Sequence, residues 1–292
     1  MNKRLTANIM LILTAMIWGF AFVAQKSAEI APFTFNAIRF MLGSISLIPV
    51  ILVFERKKFA DKKRIANTLK YGAITGCVLF LASNLQHFGI VCIEQASKAG
   101  FLTGVYTVLV PVFGIFVGKK TNLNIWIGAF LAVIGLYFVS VVGTPVPEFG
   151  DILLLIGAVF WALHIIVIDK FVDRVNPIMY SSVQFFTVSA ISFLCMILFE
   201  IPVFSMENLF NSTLNILYAG IMSSGIAYTL QILGQKNAEP TAAAIIFSSE
   251  SVFCALGCVM LLGDKMTFPA IIGCVFIFAG IIISQLDIKL FK

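Results

Sequence analysis

The sequence predicts an all-α integral membrane protein whose ten transmembrane helices form two inverted repeats of five, with both termini in the cytoplasm. Three observations support this fold class: the composition, the length and number of the apolar runs, and a repeated pattern of glycine and proline. Hydrophobic residues make up 60% of the 292 residues and charged residues only 12%, and the mean hydropathy is +1.02. Soluble domains carry about 25% charged residues, so a soluble protein is excluded.

The apolar runs have the length of membrane spans. A bilayer core of about 30 Å is crossed by roughly 20 apolar residues in a helix. Runs of this kind predict helices at 6–24, 33–53, 71–93, 98–117, 123–142, 150–168, 177–199, 211–233, 241–262 and 268–286. The first run follows Lys3 and Arg4, as a signal peptide would. We interpret it as a span because its Trp18 has a counterpart in Trp161.

A shift of 145 residues brings structural residues of the two halves into register. It aligns Pro32 with Pro177, Gly89 with Gly234, Gly118 with Gly263, Gly128 with Gly273, Gly135 with Gly280, and Leu85-Gln86 with Leu230-Gln231. Because glycine and proline set backbone geometry, their coincidence indicates a tandem duplication. We therefore predict five-helix repeats at 6–143 and 150–286. Five is odd, so the second copy enters the membrane from the opposite side, an arrangement suited to alternating access.

The distribution of positive charge predicts the orientation. Lysine and arginine accumulate on the cytoplasmic side of membrane proteins. With the N-terminus inside, the inner segments hold 16 of these residues and the outer loops hold three, Lys26, Lys98 and Lys265. Both termini are therefore expected in the cytoplasm, in the inner or plasma membrane. The net charge of +6 follows from this topology and requires no nucleic-acid partner, although residues 56–64 could also contact anionic lipid headgroups.

Short motifs occur at particular places in the spans. They are Trp18-Gly19, Arg39-Phe40, Gln95 to Ala99 followed by Val110-Pro111, and Ser249 to Phe253 followed by Gly263 to Lys265. Over the whole chain this pattern resembles the EamA-type branch of the drug/metabolite transporter superfamily. The resemblance implies a ten-helix transporter that exports amino acids, drugs or other metabolites. Proline often follows the ninth-span glutamate in that family. Here the residue is Ser251, which removes the usual signal for a helix break.

Two charged residues lie well inside predicted spans, Arg39 and Glu250. Such a residue costs about 2.5 to 3.5 kcal/mol on insertion scales, so each is a candidate functional residue. Arg39 shares a polar and small face with Asn36, Gly43 and Ser46. One possibility is that it binds an anionic group such as a carboxylate. The other is a structural contact to helix-end carbonyls or to Glu250. Glu250 is a candidate for proton coupling or cation binding; alternatively it stays neutral or pairs with Arg39.

Uncharged polar side chains inside other spans extend the candidate site. They are Ser83, Asn84, Gln86 and His87 in the third span, His164 in the sixth, Gln184 in the seventh, and Ser224, Tyr228 and Gln231 in the eighth. Under the 145-residue shift Gln184 aligns with Arg39. Such groups either join helices or line a hydrated cavity, and their number favours a cavity. The imidazole of His164 could relay protons or be structural.

Aromatic residues within the spans are candidates for the walls or gates of that cavity, or for plain core packing. They are Trp18, Tyr106, Trp161, Tyr228 and Phe247. The fifth and tenth spans have no charged, amide or imidazole group in their interiors, so we assign them to packing or to a homodimer. The six cysteines lie in apolar spans without metal-ligand partners, and neither a metal nor a cofactor is expected.

These features predict a secondary transporter that moves a small organic metabolite by alternating access, with its site between the repeats. The expected partners are the substrate, the lipid bilayer, a coupled proton and a second copy of the chain. A flippase for lipids or lipid-linked metabolites is the alternative, since the same fold could carry a laterally open groove. An intramembrane enzyme is disfavoured because the spans lack a concentrated set of acids, histidines or nucleophiles.

Overall fold

The computed structural model describes residues 3–94, 96–118, 122–140, 148–263 and 265–286. Ten long helices build this part of the chain. We label them α1 (Lys3–Lys26), α2 (Pro32–Phe54), α3 (Lys62–Val91), α4 (Ala96–Gly104 and Tyr106–Phe116), α5 (Leu123–Ser140), α6 (Phe149–Phe171), α7 (Pro177–Phe199), α8 (Thr213–Leu217, Tyr218–Ala227 and Tyr228–Gln235), α9 (Pro240–Phe247, Glu250–Gly257 and Cys258–Leu262) and α10 (Phe268–Gln285). Short helical turns connect them at Arg56–Ala60, Val172–Arg174, Ile201–Val203 and Met206–Asn211.

The all-α fold of ten apolar helices is confirmed. Within the described residues, nine helices are long and apolar enough to cross a membrane, and α5 contributes a shorter apolar stretch, Leu123–Phe138. Several predictions concern residues outside the described ranges: the inner lysines at 119, 120, 289 and 292, the motif residues Gln95 and Asp264, and the end of the first repeat at 143. The orientation of the termini remains a prediction.

One predicted boundary differs clearly from the structure. Helix α3 begins at Lys62, whereas the apolar run predicts a start at residue 71. The carboxylate of Asp61 accepts a hydrogen bond from the backbone N–H of Arg64 at 2.9 Å, and such a cap starts a helix. Lysine and arginine are themselves good helix formers. The basic cluster therefore extends a membrane helix by about two turns.

The packing of the helices repeats itself across the two halves. Helix α1 packs on α8 and α9, and its counterpart α6 packs on α3 and α4. Helix α2 packs along α7, and α5 along α10. Exchanging the two repeats turns the contacts of α1 into those of α6 and leaves the pairs α2–α7 and α5–α10 unchanged. The repeated structure predicted from the 145-residue shift is therefore present in the contacts between helices.

Two glutamates join α2 and α7 at both ends. Glu55 follows α2, and its carboxylate accepts a hydrogen bond from the backbone N–H of Met179 at 2.9 Å. Glu200 follows α7 and accepts from the backbone N–H of Thr34 at 2.7 Å and from its hydroxyl at 2.8 Å. The first N–H groups of a helix have no partner within it. Because the 145-residue shift relates Glu55 to Glu200, one contact is made twice, and α2 and α7 run antiparallel.

Helices α5 and α10 approach each other through glycines. A Cβ atom on Gly128 would lie 2.7 Å from the carbonyl oxygen of Gly280, and one on Gly135 would lie 2.5 Å from that of Gly273. Small residues allow this close approach of membrane helices. These glycines therefore serve the packing of α5 against α10. A homodimer through the two helices remains a prediction.

Gly135→Ala is expected to destabilise the protein, because its methyl group would overlap the carbonyl of Gly273. Overpacking of this kind costs about 1 to 3 kcal/mol, which a thermal unfolding midpoint in detergent would register. Gly157→Ala is the matched control, since its Cβ would meet no atom closer than 3.5 Å. Alanine is the better helix former, so this variant should keep or raise the midpoint. Equal midpoints for both variants would contradict the packing described.

Candidate functional site

A cavity lies at the centre of the bundle, with walls from α1, α2, α3, α4, α6, α8 and α9. The structure brings eight predicted site residues together on this wall: Trp18, Arg39, Gln86, Tyr106, Trp161, Tyr228, Gln231 and Glu250. Six further wall residues were not predicted: Ala21, Phe22, Gln25, Thr103, Ile165 and Ser223. Of these, Gln25, Thr103 and Ser223 are buried polar residues. Thr103 and Ser223 lie inside predicted apolar spans, a signal that could have identified them, whereas Gln25 lies just beyond the first predicted span.

Aromatic rings form much of the wall. The Tyr228 ring centroid lies 4.7 Å from that of Trp18 and 6.2 Å from that of Trp161. The two indoles are 6.0 Å apart, so the tryptophans that pair in the sequence also meet in space. Phe247 lies behind Trp18, with ring centroids at 5.3 Å, and is fully buried. Phe247 thus supports the wall without forming it.

Arg39 places a positive charge on the wall. Its side chain is 2% exposed, and its guanidinium lies 4.4 Å from the ring centroid of Phe40. Among the residues that the structure describes, its Nε atom has no hydrogen-bond partner, and no ion pair joins it to Glu250. An ion pair with Glu250 therefore does not fix the position of Arg39. A buried charge without a partner is costly, so the position is suited to an anionic ligand.

Glu250 and Tyr106 meet on another part of the wall. The Tyr106 hydroxyl donates a hydrogen bond to the Glu250 carboxyl at 3.0 Å, and both side chains are buried at 3% exposure. Tyr106 begins the second segment of α4, and Glu250 begins the second segment of α9. The contact therefore joins equivalent helices of the two repeats at the places where each is interrupted.

The interruption of α9 occurs without a proline. It falls at Ser248 and Ser249, whose hydroxyls donate to the carbonyls of Ile245 and Ile246 at 2.6 and 2.7 Å. Such local hydrogen bonds from serine compete with the helical ladder. Ser251 at the usual proline position therefore does not prevent a break.

Helix α4 is interrupted at the corresponding place. The break in α4 falls at Val105, which the 145-residue shift aligns with Glu250. Interrupted helices at corresponding positions of two repeats indicate a binding site in transporters. Both interruptions border the cavity through Tyr106 and Glu250.

Asn36 and Asn84 join helices away from the wall. The amide nitrogen of Asn36 donates to Asn84 Oδ1 at 2.9 Å, and that of Asn84 donates to the hydroxyl of Ser192 at 3.3 Å. These contacts connect α2, α3 and α7. His87 packs edge-on against Phe35, with ring centroids at 4.8 Å. These three predicted residues therefore lie outside the cavity wall.

His164 and Gln184 pair with each other. His164 Nε2 and Gln184 Oε1 are 3.1 Å apart, which connects α6 to α7 behind Tyr228. The His164 ring centroid is 6.1 Å from that of Tyr228. His164 therefore contacts the aromatic wall from behind and is held there by Gln184, a geometry that suits the structural interpretation of His164.

Ser224, which was predicted for the cavity, faces a neighbouring helix. Ser223 lies on the cavity wall in its place. Residues Tyr218–Ala227 form a π-helix, in which the Ser224 hydroxyl donates to the carbonyl of Ala219, five residues earlier, at 2.9 Å. The prediction assumed α-helical spacing, and a π-helix has more residues per turn. Ser224 accordingly packs where Gly43 of α2 approaches α8.

The cavity is narrow in this conformation. Its volume is about 20 Å³. A buried water needs roughly 10 to 15 Å³ by this measure, so one or two waters fit and a metabolite does not. A larger ligand can enter only if the surrounding helices move apart.

Comparisons with known proteins identify a family, relatives of nearly full length and a similar fold. A model described as the EamA-like transporter family matches residues 5–141 and 148–286. A protein of Archaeoglobus fulgidus named an uncharacterized transporter is 30% identical, over 98% of this chain and 88% of its own length. One of Clostridium kluyveri with the same name is 25% identical, over 94% of this chain and 92% of its own. A solved protein crystal structure matches with a TM-score of 0.78 at 20% identity, over 96% of both chains, which supports the fold alone.

Asn36→Leu and Gln231→Leu are expected to differ in stability. Asn36 makes an interhelical hydrogen bond, whose loss in a membrane protein costs about 0.6 to 1.7 kcal/mol. The Gln231 amide has no partner among the described residues, and replacing an unpaired buried amide by an apolar group is neutral or stabilising. The thermal unfolding midpoint should therefore fall only for Asn36→Leu. A larger fall for Gln231→Leu would contradict the assignment of Asn36 to helix joining and of Gln231 to the cavity.

Proposed function

Because the chain belongs to the EamA-like transporter family, we propose that it is a secondary transporter for a small organic metabolite that carries a carboxylate, such as an amino acid. Its whole-length relatives are named transporters, and the chain is a multi-pass membrane transporter, not an enzyme. The observation that carries the choice of substrate is Arg39, a buried cation on the cavity wall without an ionic partner among the described residues. The proposed location is the plasma membrane, and the proposed direction is export.

The unpaired polar atoms around the cavity support a carboxylate. Hydrogen-bond donors without partners, among the residues described, include Trp18 Nε1, Trp161 Nε1 and Arg39 Nε. Gln231 contributes one further donor and one acceptor, and Gln25 an acceptor. Unmade buried hydrogen bonds are costly, so a ligand rich in acceptors is favoured. The aromatic rings around Tyr228 suit an apolar body on the same ligand.

Glu250 supplies the second half of the proposed chemistry. Its carboxyl is buried and bonded to Tyr106, on the same cavity wall as Arg39. An acid within a membrane helix is a common proton-relay group. We assign it the binding of a coupled proton or of the cationic group of an amino acid. The proton bound by Glu250 and the substrate would then occupy the same cavity.

The two-fold-related packing of the repeats supports alternating access. Helices α1, α8 and α9 form one group and α3, α4 and α6 its counterpart, and both groups contribute to the cavity wall. The pair α2 and α7 is held at both ends by Glu55 and Glu200. We propose that the two groups rock about this pair and open the cavity to one side at a time.

Arg39→Ala is expected to abolish transport, and Arg39→Lys to retain part of it. Loss of one partner from a buried charge pair costs at least about 2 kcal/mol, or roughly 30-fold. The substrate is first found by thermal shift with a panel of amino acids, since a bound ligand stabilises the protein. Flux is then measured in proteoliposomes, with exposed Arg56→Ala as the control. Wild-type flux in Arg39→Ala would remove this residue from the mechanism, and movement of lipid headgroups instead of solute would favour a flippase.

Glu250→Gln is expected to uncouple flux from the proton gradient. The amide keeps the size of the side chain and still accepts from Tyr106, but it binds no proton at physiological pH. Substrate flux is compared in proteoliposomes with and without an imposed pH gradient. Glu207→Gln, at an exposed acid in a connecting helix, is the matched control and should respond like wild type. A normal response in Glu250→Gln would disprove coupling through this residue.

A further inference from the structure

Two of the three lysines predicted in outer loops, Lys26 and Lys98, bond to other helices at one end of the bundle. We call this the Lys26 end, where α1 and α3 finish and α4 and α6 begin. The ammonium group of Lys26 donates to the carbonyl oxygens of Ile90, at 3.2 Å, and of Ile93. Cations are stabilised at helix C-termini. Lys26 therefore fastens the end of α1 to the end of α3.

Lys98 holds the other side of the same corner. Its ammonium group lies 2.8 Å from Asp151 and 3.3 Å from Glu148, at the start of α6, and the residue is 6% exposed. Glu148 also accepts from the backbone N–H of Glu94 at 3.0 Å, directly after the carbonyl that binds Lys26. One continuous network thus runs from α1 through the corner between α3 and α4 to α6.

This network lies over the cavity. Phe22 and Gln25, within the last turns of α1, are part of the cavity wall. Phe22 also packs in an apolar cluster with Ile90 and Ile93, the residues whose carbonyls bind Lys26. Separating α1 from α3 at this end of the cavity therefore requires Lys26 to leave its carbonyls.

The opposite end has different residues at the corresponding positions. Helix α6 follows α1 with a shift of 143 residues, as in Trp18 and Trp161, which places Asp169 where α1 has Lys26. A carboxylate cannot donate to carbonyl oxygens as an ammonium group does. The 145-residue shift places Ala243 where α4 has Lys98.

The region that corresponds to this network at the opposite end of the bundle holds a polar cavity of about 260 Å³. Its wall includes Asn8 and Glu239, the counterparts of Asp151 and Glu94. The helices at the opposite end are joined by other side chains: Gln235 of α8 donates to the carbonyl of Ile165 in α6 at 3.2 Å, and Asn8 of α1 donates to the side chain of Gln285 at 3.0 Å.

We propose that Lys26 is a latch that holds the Lys26 end closed, with Lys98 and Glu148 fixing the corner to which it binds. This inference rests on the proposed alternating access. Opening of the Lys26 end requires the transfer of the lysine ammonium from carbonyl oxygens to water.

The test is a distance measurement across the Lys26 end. Spin labels are placed at Ser27 and Glu94, both exposed, with Cys77, Cys92, Cys195 and Cys274 replaced by serine because they are not fully buried. Lys26→Met is expected to raise the ratio of long to short distances about tenfold or more, the effect of losing a hydrogen bond to a charged group. Lys26→Arg keeps a donor and should stay close to wild type.

Lys265→Met is the matched control, because it removes the same charge from an exposed position at the same end. Lys98→Met, which frees the corner, should shift the distances in the same direction as Lys26→Met. An unchanged distribution in Lys26→Met, or an equal shift in Lys265→Met, would overturn the latch. The measurement uses no substrate, so its outcome is independent of the transport result for Arg39.

Discussion

The structure depends on one constraint: inside a bilayer, every backbone N–H and carbonyl group must find its partner within the protein. Where helices are continuous, the helical ladder meets this requirement. Where they end or break, side chains meet it. Glu55 and Glu200 satisfy the first turns of α7 and α2, and the hydroxyls of Ser248 and Ser249 bond carbonyls beside the break in α9. The irregular backbone is therefore placed where the protein can support it.

That constraint also explains why the candidate site lies where it does. The interruptions of α4 and α9 bring Tyr106 and Glu250 together at the cavity, and the π-helical turn of α8 places Ser223 on the wall. Each irregularity turns a polar group towards an enclosed space and away from lipid. The continuous helices α5 and α10 pack closely through glycines instead. The interrupted helices α4, α8 and α9 thus all contribute to the cavity wall, whereas the described residues of α5 and α10 do not.

The sequence predicted the parts of this site whose energetic cost is large. Arg39, Glu250 and the paired tryptophans stood out because charges and indoles within a span are expensive or unusual, whatever their neighbours. The role of Asn36 stayed open because a polar face on a helix does not reveal whether another helix or a cavity lies opposite. Ser224 was misplaced because the π-helical turn of α8 changes the spacing of its residues. The reciprocal bonds of Glu55 and Glu200 were missed because both residues read as ordinary span ends, and their partners lie in the other repeat.

The reciprocal contacts relate the two halves of the chain as the subunits of a two-fold symmetric dimer are related. The glutamate bonds, and the glycine contacts of α5 with α10, are isologous: each occurs twice, with the roles of the halves exchanged. Two identical five-helix chains could make all of them. Such a pair would carry each charge at its centre twice: two copies of the first half would hold two arginines and no glutamate, and two copies of the second half two glutamates and no arginine. Joining the halves in one polypeptide permits one charge of each sign, opposite Gln184 and Val105 in register, and so allows a symmetric frame to hold a polar, oriented ligand.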